Sequence, residues 1–231
     1  MRNKTNRNIP AIIFMSAAIV ALVGIMAVSA NPKYTYAATV DATSSATTIA
    51  TPSLSVVSVG YESLKLTWTK VSNATYYEVY RATSATGTYS KVTSVSATTF
   101  TNTGRVTGKY YYYKVRAAVV SGSSTYRGSF CAVKAAKAIP STPVISLTKA
   151  SASSIKVNWN GVAGATKYLV YRTNSSTGTY SLVYTAASTA RSWTNTGLTP
   201  GKTYFFKVRV YHLEGTAKVY SYFSARKYML L

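Results

Sequence analysis

The stretch TGKYYYYKVRA, Thr107–Ala117, sets four tyrosines in a row and follows them with two cations that alternate with Val115 and Ala117. A helix would spread these rings around its circumference, whereas a strand sends alternate ones to opposite faces. The neighbouring sequence decides for the strand. In LKLTWTKV (64–71), Leu64, Leu66 and Trp68 point one way while Lys65 and Thr67 point the other. In IKVNWNGV (155–162), Ile155, Val157 and Trp159 alternate in the same way with Lys156 and Asn158. Thr, Ser, Val and Tyr dominate the composition, and Leu, Glu and Gln are scarce, which favours an all-β fold.

These segments belong to an internal repeat. YEVYRATSATGTYSKV (77–92) matches YLVYRTNSSTGTYSLV (168–183), and FTNTGRVTGKYYYYKVRA (100–117) matches WTNTGLTPGKTYFFKVRV (193–210). A unit of about 90 residues is too long for a solenoid repeat and suits an independently folding domain. Each copy reads as about seven short strands, with Gly87 and Gly178 marking turns, the spacing expected of a β-sandwich. The organisation expected is a first domain over 52–140 and a second over 141–231. The boundary is Ile139-Pro140-Ser141-Thr142-Pro143, where two prolines favour an extended, semi-rigid join.

The first 37 residues read as a signal peptide and its processing region. Arg2, Lys4 and Arg7 precede an uncharged run over 11–30, and Val28-Ser29-Ala30 or Thr35-Tyr36-Ala37 offers a cleavage site after Ala30 or Ala37. An uncleaved membrane anchor is the alternative, since about 20 apolar residues can span a bilayer. If the leader is cleaved, no membrane span is expected. Either way the remainder is expected outside the cell or at its surface, after a flexible Ser/Thr/Ala-rich segment over 38–51.

The chain carries 26 Lys and Arg against 4 Asp and Glu, a balance that attracts anionic polymers and says nothing about fold. The excess is even: 11 cations fall in 52–140 and 11 in 141–231. Cys131 is the only cysteine, so no intrachain disulfide can form. It reads as a small buried hydrophobe in the last strand. His212 reads as a solvated residue of the turn over 211–215.

A single Trp in the second strand, Tyr-x-Val-Tyr-Arg in the third, and Thr196-Gly-Leu-Thr-Pro-Gly-Lys-Thr-Tyr204 leading into a Val-rich strand resemble fibronectin type III domains. The resemblance is strongest to the tandem copies of secreted bacterial proteins and covers about 52–231. It implies two immunoglobulin-like sandwiches in tandem. The first copy departs at its E–F corner, where Arg105-Val106-Thr107-Gly108 replaces Leu198-Thr199-Pro200-Gly201. No Arg-Gly-Asp sequence is present, so cell attachment by that motif does not carry over.

The family pattern makes Trp68 and Trp159 core residues and puts Tyr111 and Tyr204 in the tyrosine-corner position, the hydroxyl bonding back to the E–F backbone. Tyr113, Val115 and Ala117 then face inward. The outer face would carry Tyr80, Tyr110, Tyr112, Lys114 and Arg116 in the first domain, and Tyr171, Phe205, Lys207 and Arg209 in the second. Aromatic rings beside cations suit sugar rings or bases, with the cations taking phosphate or carboxylate. The same residues also stabilise a solvated sheet with no ligand at all.

Catalysis finds no support in the residues. Asp41, Glu62, Glu78 and Glu214 are the only acids, and none is duplicated between copies to form a carboxylate pair. No phosphate loop, zinc pattern or metal-ligand cluster is present, and no cofactor is expected. The sequence thus points to a non-catalytic secreted or cell-surface module that binds or spaces at the bacterial envelope. An anionic cell-wall polymer or polysaccharide is the expected partner, and a protein partner is compatible. The alternatives are a purely structural spacer without a ligand, and weak, non-specific binding of extracellular nucleic acid, for which there is no recognition motif.

Overall fold

The computed structural model describes residues 48–231. The expected signal peptide, both cleavage positions and most of segment 38–51 lie outside the described residues. Among those described, no helix is long and apolar enough to cross a membrane.

The first half comprises β1 (Leu54–Gly60), β2 (Ser63–Trp68), β3 (Tyr76–Ala82), β4 (Ser90–Val95), β5 (Thr99–Asn102), β6 (Tyr110–Ser121), β7 (Ser124–Arg127) and β8 (Lys134–Lys137). The second repeats it with β9 (Ile145–Ser151), β10 (Ser154–Trp159), β11 (Lys167–Thr173), β12 (Ser181–Ala187), β13 (Ser192–Asn195), β14 (Thr203–Glu214), β15 (Ala217–Tyr220) and β16 (Lys227–Leu230). One sheet of the first half has the order β1-β2-β5. The other runs β4-β3-β6-β7, with β8 also on β6. The second half has the same two sheets, β9-β10-β13 and β12-β11-β14-β15 with β16 on β14. Every pairing is antiparallel.

Eight strands stand where seven were expected because the last strand of each half is split. Between β7 and β8, Cys131 N–H donates to the Val115 carbonyl at 2.9 Å, and Val115 N–H donates to Cys131 Sγ at 3.2 Å. Ser224 does the same work in the second half: its N–H donates to the Val208 carbonyl at 2.8 Å, and its Oγ accepts from Val208 N–H at 3.0 Å. A side-chain atom thus stands in for a ladder carbonyl, and the buried backbone donor stays satisfied. Cys131 is the buried core residue expected, but it lies in the gap between two strand pieces rather than within a strand, and its Sγ also serves as an acceptor. Burial pushes its thiol pKa up.

Period-2 alternation builds both cores. Tyr111, Tyr113, Val115 and Ala117 of β6 pack with Leu64, Leu66, Trp68, Tyr77 and Val79. Tyr204, Phe206, Val208 and Val210 of β14 pack with Ile155, Val157, Trp159, Tyr168 and Val170. A fully buried side chain of this kind contributes roughly 1.5–3 kcal/mol. The polar tips of the buried rings find partners, as burial requires. Tyr77 and Tyr168 hydroxyls each accept a backbone N–H at 2.8 Å, from Val71 and Val162. The Tyr111 hydroxyl accepts from Val106 N–H at 3.2 Å and the Tyr204 hydroxyl from Thr199 N–H at 2.9 Å, each closing a loop ahead of its strand. Trp159 Nε1 donates to the Ala190 carbonyl at 2.9 Å, while Trp68 Nε1 has no partner among the described residues. Ile49, ahead of the expected start at residue 52, packs on the first core.

The join between halves is pinned. Ser58 Oγ accepts from Ile139 N–H at 2.9 Å and bonds to the Ile139 carbonyl at 3.0 Å, while Pro140 and Pro143 are buried. Tyr61, in the turn after β1, lies against the second half. Its ring centroid is 5.0 Å from that of His212, and it crosses Gly164 so closely that a Cβ there would overlap the ring. Gly164 has φ 72°, and its counterpart in the first half, Asn73, has φ 62°. Both turns need the left-handed region, which Asn tolerates. Only Gly164 must also admit an aromatic ring. His212 is thus not a solvated turn residue. It lies within β14, opposite Val219, because the strand continues to Glu214 before turning at Gly215. Its Nδ1 is 2.6 Å from the Gly164 carbonyl oxygen and its Nε2 is 3.6 Å from Glu214 Oε2.

Two outcomes follow from this packing. Gly164→Asn preserves the turn but displaces Tyr61, so the ring-current shift of the His212 imidazole protons should vanish from proton NMR spectra while each half keeps its β circular dichroism. Tyr113 is the second case. Its hydroxyl donates to Asn102 Oδ1 at 2.8 Å inside the core, and burial pushes its pKa up to about 12. An unfolded tyrosine ionises near pH ~10, so the native state holds this proton more tightly. The contribution is complete below pH ~10 and is lost as pH rises toward the native value, at most about 3 kcal/mol. Urea titrations between pH ~9 and ~12 should show this loss, and Tyr113→Phe should flatten it.

Candidate functional site

The outer faces of β3 with β6, and of β11 with β14, place rings and cations in alternation. Register sets this: Tyr80 stands opposite Lys114 and Glu78 opposite Arg116, and likewise Tyr171 opposite Lys207 and Leu169 opposite Arg209. In the first half Lys114 Nζ lies 4.5 Å from the Tyr89 ring and 4.3 Å from Phe130. The Arg116 guanidinium follows at 4.5 Å from Phe130 and 5.6 Å from Tyr80, and Tyr80 meets Phe130 edge-on at 4.9 Å. In the second half Lys207 Nζ lies 4.4 Å from the Tyr180 ring. Arg209 lies 4.3 Å from Tyr220, 4.7 Å from Phe223 and 5.2 Å from Tyr171. Each contact is worth ~0.5–1 kcal/mol where exposed and more where water is excluded.

Six of the nine residues expected on this face therefore meet in two ladders: Tyr80, Lys114 and Arg116, then Tyr171, Lys207 and Arg209. The other three do not. Tyr112 is half-buried. Tyr110 is 51% exposed but sits at the edge, where with Lys137, Pro140 and Tyr222 it lines a cleft of about 400 Å³ at the join of the halves. Phe205 points outward as its register requires, yet it is only 8% exposed. Tyr228 packs on it at 5.5 Å and Arg226 covers it at 5.2 Å. The corresponding cover in the first half would come from Ala135 and Val133, so Phe205 is no part of an open platform.

Sequence reasoning missed the inner rungs, Phe130 and Phe223, and the outer rings Tyr89 and Tyr180. The repeat held the signal, since each pair recurs at equivalent positions. Phe130 and Phe223 precede Cys131 and Ser224, so the split of the last strand is what turns them over the cations.

The two ladders differ in charge. Glu78 is 2% exposed, and its carboxylate receives Arg116 at 2.7 Å, Arg127 at 3.1 Å and Lys91 at 3.7 Å. Burial alone would raise its pKa. The hydrogen bonds and charges of Arg116 and Arg127 outweigh it and hold the carboxyl below its ordinary value. Leu169 occupies the same place in the second half. Among the described residues, His, Cys, Asp and Glu nowhere gather in threes fit to hold a metal ion.

No family model matches the chain. Exoglucanase B of Cellulomonas fimi is 29% identical over 164 residues, which are 65% of this chain and 14% of that protein. The chain thus spans about a seventh of the length of that relative. Among solved structures, the chicken interferon gamma receptor alpha chain is 15% identical over 78% of this chain and 97% of its own, with a TM-score of 0.50. A two-domain fibronectin type III segment of chicken tenascin is 19% identical over 78% of this chain and 99% of its own, with a TM-score of 0.42.

The ion-pair cluster generates an expectation of its own. Glu78 is buried but its cations are 22–49% exposed, so losing it should cost less than the about 3–5 kcal/mol typical of breaking a fully buried pair. Glu78→Ala should therefore lower the urea midpoint of the first half, while Leu169→Ala should act on the second half alone. The carboxylate's contribution is present above its unfolded pKa and lost as pH falls through the lowered native value, so the wild type should shed it in acid and the variant should not. Strand order, the split last strand and the tyrosine corner together make residues 48–231 a tandem of two fibronectin type III-like β-sandwich domains.

Proposed function

We propose that this tandem is a non-catalytic, polysaccharide-associated accessory module of a secreted or cell-surface protein. It uses the outer sheet faces to hold the chain at an anionic wall polymer or polysaccharide. The observation that carries the reading is the ladder of rings and cations, built twice on equivalent faces. Stacked rings suit sugar faces, and the interleaved cations suit carboxylate or phosphate substituents. The large cation excess adds long-range attraction that salt screens. The partial likeness to a protein named exoglucanase B supports association with polysaccharide. Two domains on a pinned join engage successive parts of one polymer and gain avidity.

One observation favours a spacer role for the first domain. Its ladder arginine already has a buried carboxylate partner, Glu78, and is satisfied without a ligand. The full chain, produced in a secreting bacterial host, should co-sediment with isolated cell walls at low ionic strength. It should elute as salt rises, and DNA of equal charge should compete no better than any other polyanion. Failure to co-sediment at low salt would leave only the spacer.

A further inference from the structure

The repeat provides an internal control for the outer face. Four charged residues cluster there in the first domain: Glu78 with Arg116, Arg127 and Lys91. Register assigns their counterparts in the second domain. Leu169 stands opposite Arg209, Tyr220 opposite Tyr211 where Arg127 stands opposite Ala118, and Leu182 opposite Tyr171 where Lys91 stands opposite Tyr80. Three of the four charges are replaced by apolar or aromatic side chains, and the arginine alone is retained.

Arg209 is left without an anion. Its Nη2 donates to the Tyr171 hydroxyl at 2.8 Å, and its Nε is buried with no partner. Nη1 makes no hydrogen bond among the described residues. The one acid of this domain, Glu214, lies at the far end of β14 beside His212. A guanidinium with an enclosed, unpaired Nε is costly without an anion, and rings on its flanks offset only part of that cost. Tyr220 and Phe223, which flank it at 4.3 and 4.7 Å, are exposed, and so is Leu182 on the next strand but one, opposite Tyr171.

We propose that Arg209, with Tyr220, Phe223 and Leu182, is a binding site for the carboxylate of a uronic acid residue in an acidic polysaccharide. The first domain has closed the equivalent site with Glu78. The ligand carboxylate takes Nη1, the nitrogen left free, since Nε is enclosed. The pyranose ring lies on the exposed aromatic and aliphatic side chains. The site rests on the polysaccharide reading given above and narrows it to one domain and one sugar chemistry.

Isothermal titration of the full chain with a galacturonic acid decamer tests this, with cellohexaose as the neutral arm and poly-L-glutamate as the acidic-peptide arm. The decamer should bind one site per chain at least tenfold more tightly than either control. Leu169→Glu, which installs the first domain's carboxylate beside Arg209, should weaken decamer binding at least tenfold with the circular dichroism unchanged. If that variant does not fold, Arg209→Gln should give the same loss. Glu78→Leu should raise the stoichiometry toward two. Unchanged decamer affinity in Leu169→Glu or Arg209→Gln overturns the proposal, as does equal binding of poly-L-glutamate. Chain that sediments with walls but ignores the decamer overturns this site and leaves the polysaccharide reading standing. Chain that binds neither overturns both.

Discussion

The molecule depends on the antiparallel pairing of its third and sixth strands, β3 with β6 and β11 with β14. A period of two lets one strand serve two environments at once. Tyr111, Tyr113, Val115 and Ala117 fill a core, and Lys114 and Arg116 stand on the other side. A slip of one residue would bury the cations and expose the rings, so the hydrophobic pattern fixes the register. Register in turn decides which residue faces each cation, and hence whether Arg116 meets a carboxylate while Arg209 meets a leucine.

Two copies of one fold are free to differ wherever the fold makes no demand. The inner positions keep the same residue types: Trp68 and Trp159 lie 5.5 Å from Tyr77 and Tyr168, and Tyr111 and Tyr204 close equivalent loops, although Trp68 Nε1 lacks the partner that Trp159 Nε1 finds. Even where chemistry changed, the geometry held, as Cys131 and Ser224 present different acceptor atoms to the same backbone donor. The outer positions diverged in charge. In the first face Arg116 gained a carboxylate partner, Glu78, and in the second Arg209 stays among rings without one. A face that satisfies its own charge gains stability and loses a reason to bind, while an uncompensated cation does the reverse.

The join between domains follows the same logic. Asn73 and Gly164 answer one backbone requirement, a positive φ, but Gly164 also makes room for Tyr61. The glycine is therefore an interface residue as well as a turn residue. Its second role shows only when the neighbouring domain is present.

What the sequence determined by itself was local and periodic. Alternation, turn glycines and the repeat were enough for all-β domains in tandem, because alternation follows from the pleat of a single strand, while the choice of inward tyrosines and outward cations came from the resemblance to fibronectin type III domains. What only the tertiary structure decided was what covers what. Phe205 is buried by Tyr228 and Arg226, which arrive from the last strand, and Phe130 and Phe223 reach the cations because that strand is split. His212 owes its surroundings to Tyr61, some 150 residues earlier in the chain. These contacts join residues far apart in the chain, and no short-range pattern encodes the distance between them. The pleat of one strand can be read alone, but the cover on its outer face depends on every strand that packs beside it.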